Sequence, residues 1–165
     1  MGKSFQLVVF HIGKELYGVG IESVQEIVRV PDVTEVPDSP EFLEGVINLR
    51  GRVVPVIDLR KRLRLPGEKK TKLTRVLVTD PKSNGGTGST IGLLVDSVSE
   101  VLKIQPESVE EPPEMISAIG VEYITGVAKV DERLIILINL KKILSIDDMK
   151  RIGSTVSRLT EPHAA

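Results

Sequence analysis

The chain has 165 residues, enough for one domain or for two very small lobes sharing a core. A formal net charge of −1 provides no strong field for nucleic acid or anionic lipid, and the lack of cysteine excludes disulfides, thiol catalysis and cysteine-ligated zinc. No apolar run reaches membrane-spanning length and the N-terminus makes a poor signal peptide, so a soluble intracellular protein is expected.

Short runs rich in Val, Ile and Leu follow one another along the chain. They predict strands at Phe5–Ile12, Leu16–Gly20, Val46–Leu49, Val53–Ile57, Arg75–Thr79, Ile91–Val95, Ile124–Val130 and Leu134–Ile138. Pro55 lies inside one of them and predicts an edge or a bulge, where a missing N–H does no harm. A short helical turn is expected at Asp58–Leu65, and a C-terminal helix near Ser145, where Ser-Ile-Asp-Asp offers a cap and early acids. The basic cluster Arg60–Arg64 reads as a solvated helix face.

Two stretches repeat. "GVINLRGRVVPVIDLRKRL" from Gly45 matches "GVAKVDERLIILINLKKIL" from Gly126, and "YGVGIESVQEIVRV" from Tyr17 matches "IGLLVDSVSEVLKI" from Ile91. The blocks keep their order at offsets of 74 and then 81 residues, which predicts a duplicated unit of about five strands, closed by an apolar seam. Val24, Ile27 and Val28, with Val98, Val101 and Leu102, are the candidate seam or groove residues. The copies differ at one point. Arg50 in the hairpin "NLRGR" can pair with Glu26, whereas the matching positions Glu100 and Asp131 carry like charges, so an ion pair is expected in the first copy alone. On an exposed surface such a pair adds too little stability to explain itself, which points to a polar edge offered to a partner.

The search for catalytic chemistry finds no constellation. His11 and His163 sit in a strand and in the tail, and "NGGTGST" (Asn84–Thr90) lacks the lysine of a phosphate loop, so no metal and no cofactor are expected. The carboxylates of "VEEPPE" (Val109–Glu114) have no base or nucleophile nearby in sequence. Binding, not turnover, is the reading.

The stretches "FQLVVFHIGKELYGVGIESVQEIVRV", "VTEVPDSPEFLEGVINLRGRVVPVIDLRKRL", "IGLLVDSVSEVLKI" and "EYITGVAKVDERLIILINLKKIL" resemble the CheW family of chemotaxis coupling proteins, with "GVxNLRGxxxPxxDL" as the most specific block. The resemblance implies an all-β fold of two SH3-like five-stranded barrels packed side by side, followed by a short C-terminal helix. Residues 13–70 would form the first barrel and 71–144 the second, with the strand at 5–12 free to be shared between them and 145–165 a helix and tail. It implies a cytoplasmic, non-enzymatic adaptor, recruited to membrane receptor clusters. The adaptor would couple the cytoplasmic tip of a methyl-accepting chemoreceptor to the regulatory domain of the histidine kinase CheA. The family's receptor-binding positions fall on Val24, Glu26, Ile27, Arg50, Val98 and Val101, and kinase contacts on Thr34, Val36, Glu110 and Met115. A scaffold of another chemosensory-type pathway and a small-molecule-binding double barrel are the alternatives.

Overall fold

The computed structural model describes residues 3–63, 65, 69–79, 90–111 and 123–143. In chain order these form β1 (Phe5–Ile12), β2 (Glu15–Gly20), β3 (Val24–Arg29), β4 (Leu43–Leu49), β5 (Arg52–Asp58), α1 (Leu59–Arg62), β6 (Arg75–Thr79) and β7 (Gly92–Val95). They continue as β8 (Ser97–Ile104), β9 (Val109–Glu110), β10 (Ile124–Val130), β11 (Arg133–Ile138) and α2 (Leu140–Ile143). The expected all-β class holds, and every predicted strand appears. The helix expected near Ser145 lies outside the described residues; α2 is a single turn before it.

Among the described residues the strands form two sheets, ordered β8-β1-β2-β11-β10-β9 and β3-β6-β7-β5-β4. With β1, β2, β3, β4 and β5 matched to β6, β7, β8, β10 and β11, the five-stranded order becomes β8-β1-β2-β11-β10, which is the other sheet without β9. The duplication is therefore written in the topology. It is also exchanged: each sheet takes its first two matched strands from one copy and the other three from the other. Hydrogen bonding thus sorts the strands differently from a chain-order boundary at 70/71. β6 and β7 pair with β3 and β5, while β2 pairs with β1 and, in parallel, with β11. A chain-order boundary follows sequence continuity, whereas ladder pairing follows which edges are free.

Neither sheet closes into a ring, in contrast to the expected barrels. The chain leaving β3 instead bends to the free edge of β4. There Thr34 and Val46 exchange two backbone hydrogen bonds of 2.9 Å. In the other sheet β9 does the same against β10, pairing Glu110 with Val127. Gly45 permits the first approach, since a Cβ built there would lie 2.3 Å from the Thr34 carbonyl oxygen.

Alternating side chains divide the interior into three apolar clusters. Leu7, Val9, Ile104, Ala128, Ile135 and Leu137 fill the six-stranded sheet's concave side. Ile47, Val54, Val56, Val76, Val78 and Leu94 fill that of the five-stranded sheet. The seam between sheets joins Val8, Phe10, Ile12 and Tyr17 to Ile57, Leu59, Leu77 and Leu93, with the Phe10 and Tyr17 rings stacked at 6.2 Å. Burial pushes the Tyr17 phenol above its usual pKa.

Two sequence expectations change here. Pro55 is on neither an edge nor a bulge: β5 lies between β7 and β4. Val46 directs its N–H and C=O to Thr34, so its pairing with Pro55 is a non-hydrogen-bonded one, and the β7 ladder begins only at Val56. No ladder bond is asked of the missing N–H. Arg60 is not solvated but 4% exposed, and it pairs with Asp96, whose Oδ2 also accepts the Gly13 N–H at 2.7 Å.

Asp58 caps α1 by accepting the Arg60 N–H at 3.0 Å. Its carboxyl pKa is raised by burial, against backbone hydrogen bonds that lower it. Folding therefore favours the protonated form, and Asp58 contributes less stability as the pH climbs above 3.8. In calorimetry at pH 7, Asp58→Ala is expected to cost about 1 kcal/mol for the lost cap. Asp58→Asn keeps the acceptor without the charge and is expected to melt at or above the parent temperature.

Candidate protein-docking site

Two β-bulges set the geometry of the site. On β3, Val24 pairs with Thr79 and Glu26 with Val78, which leaves Gln25 as the extra residue. On β8, Val98 pairs with Phe10 and Glu100 with Val9, which leaves Ser99. Residues two apart on a regular strand share a face, but a bulge between them turns one to the other side. Val24 and Val98 accordingly pack against the seam cluster, while Glu26 and Glu100 lie opposite residues of the two concave interiors.

Beyond each bulge the alternation resumes in its new phase. Ile27 pairs with Leu77 and Val101 with Val8, both seam residues, so the two side chains stand on the seam faces of their sheets. Each is on an outermost strand and exposed: Ile27 is 40% exposed and Val101 47%. Val24 and Val98 each pack against the shared seam cluster as its floor, and the exposed Ile27 and Val101 stand on the seam faces of their own sheets as rims. The structure therefore brings these four sequence-selected residues onto one seam. Val28 instead packs in the concave interior of the five-stranded sheet.

The polar part of the site depends on hairpin tips. In the β4–β5 turn Arg50 and Gly51 both have positive φ (+53° and +82°), and the Asn48 side chain accepts the Gly51 N–H at 2.8 Å. That turn swings Arg50 from one edge strand across to the other. Its guanidinium makes two parallel hydrogen bonds to Glu26, Nη1 to Oε2 at 2.6 Å and Nη2 to Oε1 at 2.7 Å. The bidentate bond holds the Glu26 carboxyl below the usual carboxylate range and the guanidinium above its own. The Arg50 side chain remains 72% exposed.

The second copy corrects the expectation that it has no ion pair. Glu100 does not meet Asp131; Arg133 Nη1 reaches it at 2.8 Å from the start of β11. Asp131 occupies the place of Arg50 and has nearly its φ, +56°, so the charge that clamps the tip sits two residues further on. Both copies thus tie a hairpin tip to the glutamate after the bulge, and only the first does so with a two-pronged bond. Arg133 was legible as the counterpart of Arg52, but the repeat directs attention to position 131.

The other predicted positions lie elsewhere. Thr34 and Glu110 are equivalent: each belongs to the segment that pairs onto a free edge, and Glu110 also pairs with Lys129 at 2.9 Å. The Val36 side chain is buried, and its carbonyl accepts the Ser39 hydroxyl. Met115, most of the glycine-rich stretch and His163 lie outside the described residues. His11 Nδ1 lies 3.3 Å from the Ser97 hydroxyl. Among the described residues no three His, Asp or Glu side chains are placed to hold a metal ion, and no helix is long and apolar enough to cross a membrane.

Comparison with known proteins places this geometry. Residues 6–148 match the model of the CheW-like domain. The chain is 34% identical over 158 residues to the chemotaxis protein CheW of Treponema pallidum, covering 92% of this chain and 89% of that protein. It is 38% identical over 149 residues to the chemotaxis protein CheW of Klebsiella aerogenes, covering 90% and 87%. The crystal structure of the scaffolding protein TtCheW from Thermoanaerobacter tengcongensis superposes with a TM-score of 0.76 at 37% identity, covering 90% of this chain and 92% of that one. The match over residues 6–148 and these relatives make the chain, with its exchanged duplication and clamped "NLRG" turn, a member of the CheW-like domain family.

Proposed function

We propose that the chain is a non-enzymatic adaptor of chemotaxis signalling that holds a chemoreceptor's cytoplasmic tip against the regulatory domain of the kinase CheA. One observation carries the reading: an apolar seam with exposed rims at Ile27 and Val101, bordered by the Glu26–Arg50 clamp. A helical hairpin laid along the seam would bury its apolar stripe on Val24, Ile27, Val98 and Val101, while the clamp fixes its register. The matched relatives, named as chemotaxis and scaffolding proteins, support the same role. For the kinase, the closing segments at Thr34 and Glu110 are the candidate contacts. The adaptor would work in the cytoplasm and reach the membrane through the receptor.

The test is titration of the whole chain with a receptor cytoplasmic fragment and, separately, with the kinase regulatory domain. Binding to neither at micromolar concentrations would refute the reading. Arg50→Ala is expected to weaken receptor-fragment binding about five- to tenfold and to leave the melting temperature nearly unchanged. Because Arg50 holds Glu26 below the ordinary carboxylate range, the clamp stays charged until the pH falls beneath that range. Receptor affinity in the parent protein is therefore expected to be flat from pH 8 to about pH 5 as far as this pair controls it.

A further inference from the structure

The five-stranded sheet carries, at one end of β3 and β6, a feature its counterpart lacks. Arg29 and Arg75 are direct partners across the ladder, so two guanidinium side chains leave the same face side by side. Like charges so placed repel. At the related position of the other sheet Lys103 pairs with uncharged Gln6.

A cleft of about 380 Å³ opens beside the two arginines, lined by Arg29, Val30, Thr71, Lys72, Thr74 and Arg75. Every polar side chain on that lining can donate a hydrogen bond, and none is acidic. Among the described residues none of the three cations has a salt-bridge partner. Arg75 Nη1 donates to the Lys72 and Thr74 carbonyls at 2.8 and 2.9 Å, which fixes its guanidinium at the rim. The two threonine hydroxyl oxygens accept backbone N–H groups, Thr74 from Thr71 at 2.8 Å and Thr71 from Leu73 at 3.1 Å. Their own protons remain available to a ligand.

We propose that this cleft binds a phosphoryl dianion. Two arginine forks and a lysine present three positive charges with donors only, and an oxyanion that accepts from several directions satisfies them. A single carboxylate would leave most of that charge uncompensated. The cleft shares the face of Ile27, two residues further along β3, but the assignment does not depend on what docks at the seam.

The experiment is a ¹H–¹⁵N NMR titration of the full chain with inorganic phosphate at constant ionic strength, with acetate and tetraglutamate in parallel. Saturable shifts centred on Arg29, Lys72, Thr74 and Arg75 are expected with phosphate at millimolar concentration and not with acetate. Arg29 and Lys72 are exposed. The Arg29→Gln, Lys72→Gln double variant is therefore expected to keep its melting temperature without phosphate and to bind phosphate at least about tenfold more weakly. Phosphoserine and ADP separate a protein-borne phosphoryl group from a nucleotide one, and binding of either supports the site. Equal responses to acetate and phosphate would reduce the effect to screening and overturn the proposal. So would no saturable shift, or tighter binding of tetraglutamate, which would reassign the cleft to an acidic protein segment.

Discussion

Gly45→Ala is expected to lower the melting temperature by about 6–12 °C. Gly45 has φ of +152°, where a side chain is strained, and its Cβ would meet the Thr34 carbonyl oxygen at 2.3 Å. Backbone strain and the forced parting of the Thr34–Val46 bridge together cost about 3 kcal/mol, and each kcal/mol moves a domain of this size by about 2–4 °C. Gly51→Ala is the control. Gly51 also has positive φ, +82°, but nothing lies within 4 Å of its Cβ, so only the conformational cost of about 1–2 kcal/mol applies. At Gly126 the contacts are softer, 2.9 Å to the Val109 side chain and 3.0 Å to the Glu110 carbonyl, with no positive φ, and the alanine variant should fall between the other two. Circular dichroism melts check all three. Because each sheet draws strands from both copies, the loss is expected as a single earlier transition, not as a separate melting of one half. A Gly45→Ala melt as mild as that of Gly51→Ala would mean that the segment around Thr34 can leave β4 at no cost.

Much of this architecture is legible in the residues. Strand positions follow from β-branched runs and turn residues, so Arg75–Thr79 and Ile124–Val130 coincide with the expected bounds. The duplication is legible because matched blocks keep their order. What sequence order conceals is the exchange of strands between the copies, since repeat offsets relate positions but say nothing about which edges pair. The bulges are half visible. The apolar spacing of three between Val24 and Ile27, and again between Val98 and Val101, is odd for a strand, and an inserted residue reconciles it with a single face. The same insertion sends Glu26 and Glu100 to the opposite side, toward the hairpin tips. Alignment of the repeat does not reveal Arg133 because a salt bridge needs only that its charged ends meet, and a side chain two residues away can supply the charge that an aligned position lacks. Arg60 misled for a related reason: a run of basic residues reads as solvated until an acid from another strand, Asp96, takes one of them inside.

Ile27→Asp and Val101→Asp are each expected to cut affinity for a receptor cytoplasmic fragment by at least about tenfold while the chain stays folded. Both side chains are about half exposed, so a carboxylate there keeps its water in the free protein and loses it only when an apolar partner covers it. The contrast with Val98→Asp makes the argument sharp. Val98 packs against the seam cluster, so the same charge is desolvated before any partner arrives and the fold itself is weakened. Lost binding in that variant would mix two causes, which the melting temperature separates: unchanged for the rims, lowered for the floor. The kinase regulatory domain, proposed to bind at the closing segments, is expected to keep its affinity for both rim variants. If the receptor fragment binds both rim variants as tightly as the parent protein while Arg50→Ala weakens it, the footprint lies on the hairpin side of β3, and the seam serves only to hold the two sheets together.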